Sequence, residues 1–331
     1  MEIVNKSFIF ENIPNKISSH SVSLCKVSNT EILAFWFSGT WEGEKDVDIF
    51  FSRYNIIKDK WSKPKILIHD PFRSLGNTIP IVFDETLRLY YCAMEGKDWT
   101  ESSLWYIESY DKGFTWSKSR AFSPHEDSLL FGTKILPLED GRYVFPLYNE
   151  KLWVSTPYIT SNILANEWQK IGEIRTEKGN IQQDMVELNK HIFSLLRTRD
   201  GFVYKTIYDF ESGQWTEPVS IGIPNPNSRI ALEKISNILI CCCNPIGLNK
   251  ENLTTDPRKL SNIEESFWGK REKLSIFVSS DEGNTWNEEI ILEESKDKEY
   301  SYPWFQIIDE TKIMTAYTYE RQKIAYAIIK I

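Results

Sequence analysis

Apolar residues along this chain come in short blocks, and polar turns rich in Gly, Asp, Asn and Pro separate them. Glu31 to Phe37 (EILAFWF) reads as a strand buried on both faces, and Val47 to Ser52 as its partner. Thr78 to Tyr91 reads as two strands about a turn at Asp84-Glu85. Phe131 to Tyr148 reads as a hairpin turning at Glu139-Asp140-Gly141. Ile17 to Leu24 leads into the Glu31 run, and Leu104 to Ile107, Leu274 to Val278 and Lys312 to Ile331 read as β-rich runs. Pro224 and Pro226 remove backbone donors, so Ile223 to Ile230 cannot be a strand interior. Few stretches are Ala-rich and periodic, and aromatics make up 14% of the chain. An all-β protein is expected.

One turn is written twice. Ser109-Tyr110-Asp111-Lys112-Gly113-Phe114-Thr115-Trp116 and Ser279-Ser280-Asp281-Glu282-Gly283-Asn284-Thr285-Trp286 share the string S-x-D-x-G-x-T-W. Each follows a β-rich run, which places it on a hairpin turn. Its Asp can bond backbone N–H groups a few residues on, its Gly can take positive φ, and its Trp can fold back as an apolar plug. Looser copies end at Trp61, Trp168 and Trp215. The closing tryptophans then stand at 61, 116, 168, 215 and 286, with steps of 55, 52, 47 and 71. A period of about 50 residues holding several short strands points to a β-propeller. Five turns and a strand-like C-terminus predict six blades in a single domain over residues 1–331, the last completed by the N-terminal strand around Ile3 to Phe10. The wide last step is taken up by an aperiodic stretch, Asn244 to Lys270.

Charge and cysteine usage narrow the partners. A net charge of -8 argues against nucleic acid and against an anionic membrane, so an acidic ligand would need locally placed arginines. No apolar run approaches the roughly 20 residues of a membrane span. The first residues, MEIVNKSFIFENIPNK, lack the features of a signal peptide. The five cysteines are odd in number, and three are consecutive at Cys241-Cys242-Cys243, which reads as reduced filler rather than a disulfide framework. A cytoplasmic location is expected, with neither metal nor cofactor. No H-E-x-x-H, G-x-S-x-G or phosphate loop occurs.

Arg197 and Arg271 fall beside strand ends in different repeats, where two guanidiniums could grip one carboxylate; an ion pair on the rim is the alternative. Arg321 is a further candidate, and Arg199 reads as solvated. Asp46 stands in a loop with Glu42, Glu44 and Asp48. Crowded carboxylates raise one another's pKa, as a general acid requires, so Asp46, with Glu42 as second choice, is the candidate acid; a solvated acidic loop is the alternative. His20 is one of four histidines and reads equally as structural or ligand-binding. Tyr302, flanked by Tyr300, Pro303 and Trp304, is either a packed aromatic or a group at the reacting carbon. Trp36, Trp41 and Trp99 are candidates for stacking on a sugar.

The boxes, the repeat and the segments Phe37 to Asp46, Pro224 to Ser228, Arg271 to Trp286 and Tyr300 to Arg321 resemble the sialidase superfamily, in particular its bacterial neuraminidase-repeat branch, across essentially the whole chain. The resemblance implies a carboxylate held by arginines, a Tyr nucleophile assisted by a Glu, and an Asp acid/base. Carried over, it puts Arg197 and Arg271 in the clamp, Tyr302 (Tyr300 in an alternative register) as nucleophile and Asp46 as acid/base. Asn227, in the Pro224 to Ser228 segment, becomes a candidate substrate contact. Two positions depart from the family pattern: His20 stands where the first arginine is expected, and Gln182 where the Glu is expected. Gln takes no proton, and His is a shorter, pH-dependent carboxylate ligand.

Three functions follow as expectations. The first is a sialidase-like exo-glycoside hydrolase acting on a terminal acidic sugar, sialic-acid-like or uronic. The second is a uronate lyase with His20 or Tyr302 as base, and the third is a non-catalytic propeller that binds acidic carbohydrate.

Overall fold

In the computed structural model, which describes residues 1–122, 126–165, 167–254 and 267–331, every regular element is a β-strand. The chain forms two compact units, one of Met1–Gly132 with Pro303–Ile331 and the other of Thr133–Tyr302.

The first unit is built on three antiparallel sheets. One runs Ser18–Ser28, Glu31–Gly39 and Asp48–Asn55, with Lys60–Trp61 and Lys65–Ile68 both paired to the last of these. A second runs Leu75–Phe83, Thr86–Met94, Ser102–Ser109 and Arg120–Phe122. Leu75–Phe83 begins ahead of the Thr78 start expected from sequence, and its turn at Asp84-Glu85 has positive φ at both residues. The third sheet runs Tyr300–Asp309, Lys312–Tyr319 and Lys323–Lys330, and the N-terminal strand Glu2–Phe8 completes it beside Lys323–Lys330, as expected. Glu31–Gly39 is buried at every residue from Ile32 onward. Leu33 and Phe35 pack with Leu75, Leu89 and Tyr91 in one apolar cluster joining two sheets. Each such side chain removed from water contributes roughly 1.5–3 kcal/mol.

The second unit repeats the plan, with sheets built around Tyr143–Phe145, His191–Thr198 and Ile238–Cys243. Its clusters centre on Val186, Phe193, Leu232 and Cys241, and on Met185, Ile192 and Leu196. Two short pairs, Tyr148–Asn149 with Val154–Ser155 and Leu253–Thr254 with Trp268–Gly269, lie off these sheets. The second pair lies inside the stretch Asn244 to Lys270 read as aperiodic, of which 255–266 lie outside the described residues. All five cysteines are buried thiols outside any disulfide. Among the described residues no helix is long and apolar enough to cross a membrane.

The two boxes form the same turn. In the first, Asp111 accepts Phe114 N–H at 3.0 Å, Thr115 N–H at 2.8 Å and the Thr115 hydroxyl at 2.6 Å. In the second, Asp281 accepts Asn284 N–H at 3.1 Å, Thr285 N–H at 2.8 Å and the Thr285 hydroxyl at 2.6 Å. These donors, led by the threonine hydroxyl, hold both carboxyls down at about 2. Gly113 and Gly283 take φ of 86° and 79°. A Cβ there would stand 2.6 Å from Leu33 Cδ1 and 2.5 Å from Phe193 Cζ respectively. The glycine therefore serves twice, for its dihedral and for its missing side chain. Each box turn rests on the core strand of a neighbouring sheet in its own unit.

Candidate functional site

In the second unit Arg197 lies next to the end of His191–Thr198, and only 1% of it is exposed. Its Nε donates to Asn227 Oδ1 at 2.8 Å. Nη1 donates to Gln182 Oε1 at 2.5 Å and to the Tyr302 hydroxyl at 3.1 Å. Nη2 is buried and has no hydrogen-bond partner among the described residues. Every hydrogen-bond acceptor of this guanidinium is thus a neutral group.

Arg271 precedes Lys273–Ser279 and is also buried. It donates to Glu299 at 3.1 Å and to the Asn227 carbonyl at 3.4 Å. The two predicted clamp arginines therefore meet at one residue, Asn227, and both lie beside the Tyr302 ring, with guanidinium carbons 5.9 Å (Arg197) and 5.5 Å (Arg271) from its centroid. Reasoning from sequence missed a third. Arg229 is fully buried, stands 4.7 Å from the same ring, and donates to the Tyr302 carbonyl at 2.8 Å. Burial pushes its guanidinium down to about 10. The available signal was an arginine directly after the proline-interrupted turn, a place where the chain must leave a sheet.

The backbone is strained where these groups meet. Gln182, Asn227 and Tyr302 have φ of 51°, 59° and 57°. Left-handed conformations cost L-residues about 1–2 kcal/mol each and persist where surroundings enforce them. Gln182 sits in a register shift of Asn180–Leu188 between Ile181 and Asp184, which turns its side chain toward Arg197. Asn227 follows Pro226, and Asn225 accepts Ser228 N–H at 2.9 Å to close that turn. Tyr302 lies within the strand Tyr300–Asp309. Trp153 and Trp268 flank the cluster, with Arg197 at 5.7 and 5.1 Å from their rings. Arg199, read as solvated, instead stacks 3.4 Å over Trp153.

The first unit holds the other candidates. Asp46, whose side chain is 38% exposed, accepts Thr40 N–H and hydroxyl at 2.9 Å each and pairs with Lys16 at 3.6 Å. Asp48 takes Lys16 at 3.1 Å and His69 at 2.7 Å. Glu42 accepts Arg321 at 2.7 Å and the Trp99 indole at 3.0 Å. The loop thus meets Glu42, Asp46 and Asp48 with donors, where the sequence suggested carboxylates crowding one another. That arrangement also commits Arg321 to a part-buried ion pair. His20 is buried edge-on to Phe37 at 5.5 Å, before a register shift at which Ser21 takes a φ of 59°. Of the three tryptophans proposed for stacking, Trp36 is core between Phe10 and Phe50, Trp99 is buried, and Trp41 remains 42% exposed.

Comparison with known proteins bears on this arrangement. A family model described as the BNR repeat-like domain matches residues 30–314. The chain belongs to that family. No match was found among curated proteins. Among solved structures, the chain is similar to a Hadza microbial sialidase at 17% identity and TM-score 0.76, over 96% of this chain and 66% of that one. It is similar to a protein of unknown function from Dyadobacter fermentans at 14% identity and TM-score 0.76, over 100% and 99%. It is similar to Trypanosoma rangeli sialidase in complex with sialic acid at 10% identity and TM-score 0.74, over 98% and 58%. The chain thus spans about two thirds of the Hadza protein's length. At these identities the likeness shows the fold, which is all-β and sialidase-like.

Proposed function

We propose that this protein is an exo-acting glycoside hydrolase that removes a terminal sugar bearing a carboxylate, sialic-acid-like or uronic. On this reading its sheets are the blades of one six-bladed propeller spanning 1–331. The observation that carries the proposal is Arg197, a buried guanidinium whose acceptors are all neutral and whose Nη2 is unpartnered. An uncompensated buried charge is costly, and an anionic ligand offsets that cost. The T. rangeli relative, in complex with sialic acid, supports the choice of anion.

Arg197 and Arg271 grip the sugar carboxylate, with Asn227 fixing the spacing between them. Asp46 protonates the leaving oxygen as its bond to the anomeric carbon breaks, and the Tyr302 oxygen forms the new bond to that carbon. Asp46 then deprotonates a water that displaces tyrosine. A neutral nucleophile suits a substrate that already carries a negative charge. Gln182 accepts no proton, so the phenol proton leaves to solvent while the Arg197 N–H and the neighbouring guanidiniums stabilise the charge developing on oxygen. His20, Glu42 and Arg321 are assigned to the substrate-facing surroundings of Asp46.

Aryl glycosides of N-acetylneuraminic and glucuronic acids test the proposal. Release of the aryl group by wild type, and its loss in Tyr302→Phe and Asp46→Asn, is expected. Formation of an unsaturated uronate would instead mark a lyase. Gln182 also favours a second reading, a propeller that binds acidic sugars without cleaving them; binding with no turnover would establish it.

A further inference from the structure

Arg229 stands in the second unit's cluster, and the carboxylate clamp proposed above does not use it. It is 1% exposed and directly follows the turn that Asn225 closes on Ser228. Its Nη2 donates to the Tyr302 carbonyl at 2.8 Å. Its guanidinium carbon lies 4.7 Å from the Tyr302 ring centroid, nearer than those of Arg271 (5.5 Å) and Arg197 (5.9 Å). Tyr302 is held at a φ of 57°, a conformation that persists where surroundings enforce it. Arg229 therefore grips the very peptide whose conformation carries the phenol to Arg197 Nη1, 3.1 Å from its hydroxyl.

The same arginine brings charge. Burial pulls its guanidinium down to about 10, which still leaves it a cation at neutral pH. Foremost among the charges that pull it back up is Tyr302, so the cation and a phenolate favour each other. Arg197 and Arg271 add two more cations beside the ring. Two carboxylates act in the opposite sense, and both are engaged elsewhere. Asp184 meets Lys134 at 3.1 Å and the Leu232 N–H at 2.8 Å, while Glu299 meets Arg271 at 3.1 Å and the Ser301 hydroxyl at 2.8 Å. Tyr148 acts on Arg229 as well and meets the Gln182 amide at 3.4 Å. Gln182 itself is neutral and accepts no proton.

We propose that Arg229 is a positioning residue for Tyr302: it holds the left-handed peptide and stabilises the ionised oxygen, where the neutral Gln182 offers no base. The catalytic use of this coupling rests on the hydrolase reading; the coupling itself does not. In that reaction the phenol proton passes to water and the phenol oxygen's electron pair forms the bond to the anomeric carbon. The pair of the broken glycosidic bond leaves on the oxygen that Asp46 protonates. Arg229 acts through the Tyr302 peptide and ring, lowering the energy of the negative oxygen by a fixed charge in a desolvated setting.

The test has two arms. Tyrosinate absorbance is followed against pH in wild type, Arg229→Gln and Arg229→Lys, and subtracting the matching Tyr302→Phe protein isolates one tyrosine in each. The wild-type step is expected below those of the remaining tyrosines, and to rise by about one pH unit or more in Arg229→Gln, with most of that shift recovered in Arg229→Lys. In the second arm, aryl sialoside cleavage by Arg229→Gln is expected to lose about ten-fold or more in kcat, with KM within about two-fold. Its pH–rate profile should move to higher pH, and Arg229→Lys should return it. An arginine with a structural role alone would change stability and leave both the step and the profile in place. A step that moves in a protein that cleaves nothing would uphold Arg229 and sink the hydrolase reading. A step and profile unmoved in Arg229→Gln, with cleavage intact, would overturn Arg229 and leave the hydrolase reading standing. Circular dichroism and melting report folding. Should Arg229→Gln not fold, the wild-type step decides: at or above the remaining tyrosines it overturns the proposal, and below them, retained in Arg229→Lys, it upholds it.

Discussion

Replacing Arg271 with Lys separates a carboxylate clamp from a structural ion pair. Arg271 holds Glu299 at 3.1 Å and reaches the Asn227 carbonyl over a long 3.4 Å. Lysine can keep the first contact, and the second is too long to contribute much, so the fold should lose about 1 kcal/mol or less. In a chain of this size that lowers Tm by no more than about 2–4 °C. Binding should suffer far more. A guanidinium presents a planar fork to a carboxylate, and an ammonium presents one point charge. Losing one charge-assisted hydrogen bond of roughly 1.5–3 kcal/mol weakens binding about 10- to 150-fold. Isothermal titration with N-acetylneuraminic acid and glucuronic acid, and with galactose as the neutral control, measures this. Acidic sugars bound within two-fold of wild type, or an equal loss for galactose, would refute the clamp.

Three further outcomes are expected. Gln182→Glu places a carboxylate against Arg197 Nη1 and supplies the missing base, so the pH–rate profile on aryl sialosides should move to lower pH; identical profiles would put residue 182 outside the chemistry. The Asp281 carboxyl sits at about 2 in the folded protein against an ordinary 3.8, so its stabilising contribution is complete above about pH 4 and is lost as pH falls toward 2. Melting curves of wild type and Asp281→Asn should therefore converge over that window, and a constant gap would count against the assigned hydrogen bonds. Gly283→Ala combines a left-handed dihedral, about 1–2 kcal/mol, with a 2.5 Å approach to Phe193, about 1–3 kcal/mol more; urea melts should register about 2–5 kcal/mol, and a neutral result would mean that the turn relaxes freely.

The fold was legible because its signals are local. A box turn needs an Asp, a Gly and a Thr at fixed offsets, and both copies form the same hydrogen bonds. Turn residues likewise gave strand pairs, down to the turn at Asp84-Glu85. The site was legible only where the family resemblance supplied a register: Gln182, Arg197, Asn227, Arg271 and Tyr302 are far apart in sequence and share one hydrogen-bonded cluster. Arg229 escaped notice because its role is to hold a backbone carbonyl, which leaves no mark on spacing. The acidic loop was misread for a related reason. Sequence shows four carboxylates within seven residues, Glu42 to Asp48, but not the distant donors Lys16, Trp99 and Arg321 that meet Glu42, Asp46 and Asp48.

The distribution of charge sets Arg197 apart and supports the proposed anion-binding reading of it. The chain as a whole is acidic by 8 charges, so carboxylates are plentiful as counter-ions. The loop around Asp46 uses them in that way, pairing Glu42 with Arg321 and Asp48 with Lys16. Around Arg197 the chain does the opposite and spends a Gln, an Asn and a Tyr, each held at positive φ, on a buried guanidinium. Neutral acceptors satisfy hydrogen bonds without cancelling charge, and strained backbone at all three makes the geometry expensive to keep. A purely structural arginine would be served better by one carboxylate on relaxed backbone, as Arg88 is by Glu108 at 2.7 Å in the first unit. Each unit thus has its own kind of buried arginine, and the uncancelled Arg197 kind is the one on which the proposed carboxylate clamp rests. Gln182 in place of the family's Glu sharpens the contrast, since a carboxylate there would already neutralise Arg197.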